Sequence, residues 1–135
     1  MNPLYPATAE RADNRCEYCH APELVFNDTF ELEHIIPISQ GGSHDTANLA
    51  LACRSCNKYK ADFQAGTDPD TQTTARLFHP RQEEWSQHFR HDEETGEIQG
   101  RTPIGRATIA RLQMNRVAQI AARRLWVQLD LFPCL

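Results

Sequence analysis

From Phe30 to Ile36, the residues Phe30, Leu32, His34 and Ile36 alternate with Glu31, Glu33 and Ile35. This period of two predicts a half-buried strand that ends at Pro37. Gly41-Gly42-Ser43 then marks a loop. Asp45 or Thr46 caps a short turn into Asn48-Leu49-Ala50-Leu51-Ala52, and a helix is expected from about Arg54 to Asp62. Further on the spacing becomes helical. Trp85 and Phe89 stand four apart in a segment, 80–90, that reads as a short helix, and Glu94-Thr95-Gly96-Glu97 reads as a hairpin turn before Ile98. Thr102-Pro103 is a helix start, with threonine as cap and proline in the first turn. Ile104, Thr108 and Leu112 form the apolar stripe of that helix, and Val117, Ile120, Ala121 and Leu125 that of the next. Both helices are expected to pack on the core with their arginines outside. The first residues, with Pro3 and Pro6, read as irregular, and residues 64–74 lack any period and carry turn residues.

A chain of 135 residues makes one compact domain, or a small core with an extension, and buries only a modest apolar core by itself. The division expected here is a core over 1–63, a linker over 64–79 and a helical extension over 80–135 that packs on the core. The net charge of -4 is unhelpful for meeting a polyanion, but the charge is unevenly spread. Between Gly100 and Asp130 stand six arginines and no acid, while Arg54, Lys58 and Lys60 form a second basic run suited to phosphate contacts. No apolar run approaches the roughly 18 residues of a membrane span, and the first residues carry no signal-peptide stretch. A soluble, cytoplasmic protein without a membrane partner is expected, as a monomer or homodimer.

In a reducing compartment, cysteines paired as Cys16-x-x-Cys19 and Cys53-x-x-Cys56 point to metal thiolates before disulfides. Zinc takes four such ligands in a tetrahedron, and two C-x-x-C turns supply all four. With every position filled by protein, no water is activated, so this zinc is structural. Cys134 has no partner in this scheme. The 33 residues between Cys19 and Cys53 exceed the usual interval of a zinc ribbon, so something substantial is inserted between the knuckles.

That insertion holds a second candidate site. A hard cation such as Mg2+ or Mn2+ takes oxygen ligands, which the Glu33 carboxylate and the Asn57 amide oxygen offer. His34, with an ordinary pKa near neutrality, is a candidate base for taking a proton from water aimed at phosphorus. In a regular strand Glu33 and His34 point to opposite faces, so a shared site requires the strand to bend at its end. Taken singly, each of these residues has an ordinary structural reading, and His20 and His44 read as surface histidines. Trp85, Phe89 and Trp126 read as packing anchors.

The stretch from Cys16 to Lys60 resembles the HNH endonucleases, also called ββα-metal or His-Me finger nucleases. The residues that carry the resemblance are Glu33-His34-Ile35-Ile36-Pro37, Gly41-Gly42, Asn48-Leu49 and Cys53-Arg54-Ser55-Cys56-Asn57-Lys58. The resemblance implies an α+β fold: a small ββα-metal finger core stapled by a four-cysteine zinc site, with a mostly helical C-terminal extension. It implies metal-dependent hydrolysis of DNA phosphodiester bonds, with contacts mainly to the phosphate backbone and with 5′-phosphate and 3′-hydroxyl products. It makes His34 the general base, Glu33 and Asn57 the ligands of the catalytic cation, and Asn48 the residue that ties the loop to the strand and aims His34. Asn57 stands where the family name implies histidine, and Glu33 where aspartate is also common. The rival reading is a non-catalytic zinc module that binds nucleic acid or protein, which has no need of Glu33, His34 and Asn57 together.

Overall fold

The computed structural model describes residues 2–133, so Cys134 lies outside the described residues. The strand expected before Pro37 is β1, Glu31–His34, and it pairs antiparallel with β2, Leu49–Ala52. Glu33 faces Ala50 and His34 faces Leu49 across the pair. Cys53 follows β2 directly and caps α2, Arg54–Lys60, with its sulfur accepting from Cys56 N at 3.5 Å. The order is therefore strand, loop, strand, helix, with both C-x-x-C turns at the base.

The apolar pattern of residues 30–36 holds at its start, where Phe30 is buried and Leu32 packs against the core, and reverses at its end. Glu33 and Ile35 are buried, while Ile36 is exposed and His34 half-exposed. A carboxylate takes the inward place because α2 brings Lys60 beneath it, as described below. All four residues of β2 are buried. One neighbour on that side is α1, Tyr5–Arg11, where an irregular start was expected. Pro6 is tolerated because it falls in the first turn, where its missing N–H has no helical partner to lose. Arg11 donates from α1 to Thr46 O at 2.9 Å and to Leu49 O at 2.6 Å, which ties this helix to β2.

Residues 65–76, expected within a linker, form a hairpin of β3, Ala65–Thr67, and β4, Thr74–Arg76. Its turn carries Asp68, which is fully buried and accepts a two-pronged bond from Arg106, at 3.0 Å from Nε and 2.9 Å from Nη2. Turn residues that suggest a loose segment here instead build a docked hairpin. The helix expected over 80–90 is confined to α3, Trp85–His88, and the chain then turns into β5, Phe89–His91, paired with β6, Ile98–Gly100.

The helix after Thr102 is α4, Pro103–Leu112, with Thr102 Oγ1 accepting from Gly105 N at 3.1 Å. Its stripe behaves as expected, since Thr108 and Leu112 are buried and Ile104 packs against the core. The last helix, α5, Val117–Gln128, is rotated away from its expected stripe. Val117 is 86% exposed and Leu125 58% exposed, whereas Arg123 and Trp126 are buried. Backbone carbonyls on neighbouring segments accept from Arg123 and so permit this rotation. The fold is thus α+β, with five α-helices and three antiparallel strand pairs among the described residues. No described helix is long and apolar enough to cross a membrane.

Gly42 marks the tightest point of the loop. A Cβ built there would fall onto the Ile36 carbonyl oxygen and within 2.9 Å of Asn48 Nδ2. Gly42→Ala is therefore expected to destabilise the fold by about 1–3 kcal/mol, the usual scale of overpacking. Denaturant unfolding of wild type beside the variant checks this, and an unchanged midpoint would refute the packing account.

Candidate metal centre and active cleft

Cys16, Cys19, Cys53 and Cys56 are all buried, and their sulfurs lie within 4.8 Å of one another. Cys19 Sγ and Cys53 Sγ are 3.8 Å apart. A tetrahedron with Zn–S bonds of about 2.3 Å has S···S edges of about 3.8 Å, which the Cys19–Cys53 edge matches. Hydrogen bonding among the sulfurs, that with Cys16 foremost, leaves the Cys19 and Cys56 thiols well above their ordinary pKa and Cys53 well below it. Four sulfurs this close cannot all ionise without a cation among them. The donor set and its spacing fit structural zinc.

From the first knuckle a chain of polar contacts runs to the strand end. Tyr18, fully buried between Cys16 and Cys19, donates to Glu33 Oε2 at 2.7 Å. Lys60 Nζ makes an ion pair with Glu33 Oε1 and donates to the backbone oxygens of Ile35 at 3.0 Å and His34 at 3.4 Å. Burial raises the pKa of Glu33, and Lys60 and Tyr18 oppose that shift. Lys60 is only 1% exposed. The expectation that it contacts a phosphate is corrected: its ammonium is spent on Glu33 and the strand carbonyls. Arg54 and Lys58 do lie on the surface.

Asn48 joins the loop to the strand from the other side. Its Oδ1 accepts from Ile36 N at 2.9 Å, and its Nδ2 donates to Ile36 O at 2.9 Å and Ser43 O at 2.8 Å. Asn57 Nδ2 donates to Glu31 Oε2, which leaves the amide oxygen of Asn57 as its available ligand atom. Glu33, His34 and Asn57 line one open cleft of about 390 Å³, together with Ser39 and Asp62. The chain turns off its strand immediately after His34, which lets two neighbours of opposite facing border the same space.

His34 has a partner that spacing did not assign to it. Its Nε2 lies 3.1 Å from Nδ1 of the exposed His44. Burial lowers the pKa of His34 first, and the nearby His44 and Lys60 lower it further. His20, the other histidine expected at the surface, instead stacks on Trp85 with ring centroids 4.1 Å apart. Burial, reinforced by His91, brings its pKa down to about 4. Of the arginines expected outside, Arg101 and Arg124 are exposed, but others are engaged within the fold. Arg106 is paired with Asp68, Arg111 covers Phe63, Arg116 covers Tyr59, and Arg123 is buried. Tyr18, Glu31 and Asp62 were not singled out from the sequence, where nothing but proximity to the motifs marks them.

Fold and site together define a zinc-knuckle α+β domain with a polar cleft between β1 and α2. Residues 16–63 match the family model HNH endonuclease, so the resemblance read from the motifs is shown for that segment. Comparisons with curated proteins and with solved structures found no match.

Elemental analysis of the purified protein is expected to give about one zinc per chain, as a single four-cysteine site holds one ion. Stripping that zinc removes on the order of 10 kcal/mol of folding free energy, comparable to the whole stability of a small domain. Circular dichroism should then report unfolding that zinc reverses. Protein that folds equally well without any metal contradicts the assignment.

Proposed function

We propose that the chain is a metal-dependent DNA endonuclease of the HNH type, and that the cleft between β1 and α2 is its active site. The observation that carries this reading is the presence of Glu33, His34 and Asn57 on one cleft, within the segment that matches the family model. In this reading the cleft would hold a divalent cation such as Mg2+ or Mn2+, whose chemistry there would be to polarise the scissile phosphate and offset charge on the leaving 3′ oxygen. Glu33 and the Asn57 amide oxygen would be its protein ligands. His34 takes the proton from the attacking water, and Asn48 and Lys60 fix the strand end from which His34 projects. Arg54 and Lys58 supply phosphate contacts. The products are 5′-phosphate and 3′-hydroxyl ends.

Residues 1–63 act as the catalytic unit in this proposal and residues 80–135 as a stabilising extension, with the 65–76 hairpin between them. One site cuts one strand, so paired cuts require two chains or two successive events.

The rival reading, a non-catalytic zinc module, draws on the same contacts of Glu33. Lys60 and Tyr18 satisfy this carboxylate without any divalent cation. Plasmid incubation separates the two readings. Wild-type protein with Mg2+ should nick or linearise the DNA, EDTA should stop it, and His34→Ala should retain DNA binding while losing roughly a hundredfold or more of the rate. Because the pKa of His34 is lowered, its neutral form persists below the ordinary imidazole range. The acid limb of the rate profile should therefore lie below pH ~6.5. Undiminished cutting by His34→Ala, or cutting unaffected by EDTA, contradicts the proposal.

A further inference from the structure

The C-terminal extension grips the cysteine centre from two directions. Trp85 Nε1 donates to Tyr18 O, inside the first knuckle, at 2.8 Å. Arg116 Nη2 and Gln119 Nε2 donate to Ser55 Oγ, inside the second knuckle, at 2.8 and 3.3 Å. Positions 116, 119 and 123 share one face of α5 and its cap. The last of them, Arg123, is 1% exposed, and its side chain heads the fully buried ones in volume.

The bonds of this guanidinium are all to neutral groups. Nη1 donates to Gly96 O at 2.8 Å and to Asn115 Oδ1 at 3.1 Å, and Nη2 donates to Met114 O. Nε is buried with no hydrogen-bond partner. Among the described residues no carboxylate pairs with Arg123. A buried charge left without an opposite charge is strongly unfavourable, so its compensation must come from elsewhere. Arg116 and Gln119, on the same face of α5, reach Ser55 between Cys53 and Cys56, so this face lies against the second knuckle. The charged neighbours of Arg123 are the cysteines, as thiolates, and His91, which repels it when protonated. Burial lowers the Arg123 pKa, and Cys19, Cys56, Cys53 and Cys16 oppose that shift. Zinc held by four thiolates is a doubly negative centre, and an adjacent buried cation offsets part of that charge.

We propose that Arg123 is the counter-charge of the zinc–tetrathiolate centre, so that zinc binding and docking of the C-terminal extension stabilise each other. The inference rests on reading the cysteine cluster as a zinc site, and it is independent of any nuclease activity. Because the coupling is reciprocal, loss of the guanidinium weakens zinc binding, and loss of zinc loosens α5. Lysine keeps the charge but loses the fork that reaches Gly96, Met114 and Asn115. Glutamine and methionine lose the charge.

The test uses the full-length protein as wild type, Arg123→Lys, Arg123→Gln and Arg123→Met, with zinc affinity read by competition against a chromogenic chelator. Arg123→Lys is expected to stay close to wild type, whereas Arg123→Gln and Arg123→Met should bind zinc about 10- to 100-fold more weakly. If Arg123 serves only to hydrogen-bond carbonyls, lysine and glutamine will fall together, which overturns the proposal. Wild-type affinity in Arg123→Gln overturns it as well. Should Arg123→Met fail to fold, the lysine and glutamine pair decides. Zinc absent from the wild type would instead mark failure of the zinc reading.

Discussion

Four sulfurs drawn within 4.8 Å of one another hold the two ends of the core together. The first knuckle fixes Tyr18, the second caps α2, and between them Tyr18, Glu33 and Lys60 form a buried line of contacts that ends on the carbonyls of His34 and Ile35. The position of the candidate base therefore descends from the metal site through named bonds. Asn48 closes the same strand end from the loop side. In a chain with a modest apolar core, such cross-links supply order that packing alone does not.

Buried charge is the recurring device of this molecule. Lys60 and Glu33 are both nearly inaccessible, as are Asp68 and Arg123. Ion pairs of this kind add little net stability compared with apolar packing, but removing one partner is costly, so they fix one arrangement against its alternatives. The geometry of the cleft depends on one such pair. The docking of the 65–76 hairpin depends on another, Asp68 with Arg106, while Arg123 ties α5 to the carbonyls of Gly96 and Met114.

Much of the fold was legible in the sequence where its signals are local. The C-x-x-C spacing, the proline after the strand, the Gly41-Gly42 loop and the Thr102-Pro103 cap each dictate structure within a few residues. What escaped was decided by partners distant in sequence. The inward facing of Glu33 depends on Lys60, and the docking of the 65–76 hairpin depends on Arg106. The rotation of α5 depends on carbonyls at Gly96 and Met114 that accept from Arg123. An apolar stripe such as Val117, Ile120, Ala121 and Leu125 cannot announce that an arginine on another face will find such acceptors. The cleft itself was legible as a set of residue types. The pairing of His34 with His44 and the loss of Lys60 from the surface were not.

The most direct test is a paramagnetic titration. Mn2+ added to the zinc-loaded protein should selectively broaden NMR signals of Glu33, His34 and Asn57, with Asp62 next and the acidic turn at Asp92–Glu97 little affected. Broadening centred on that acidic turn, or spread evenly over the surface, would contradict a cation site in this cleft.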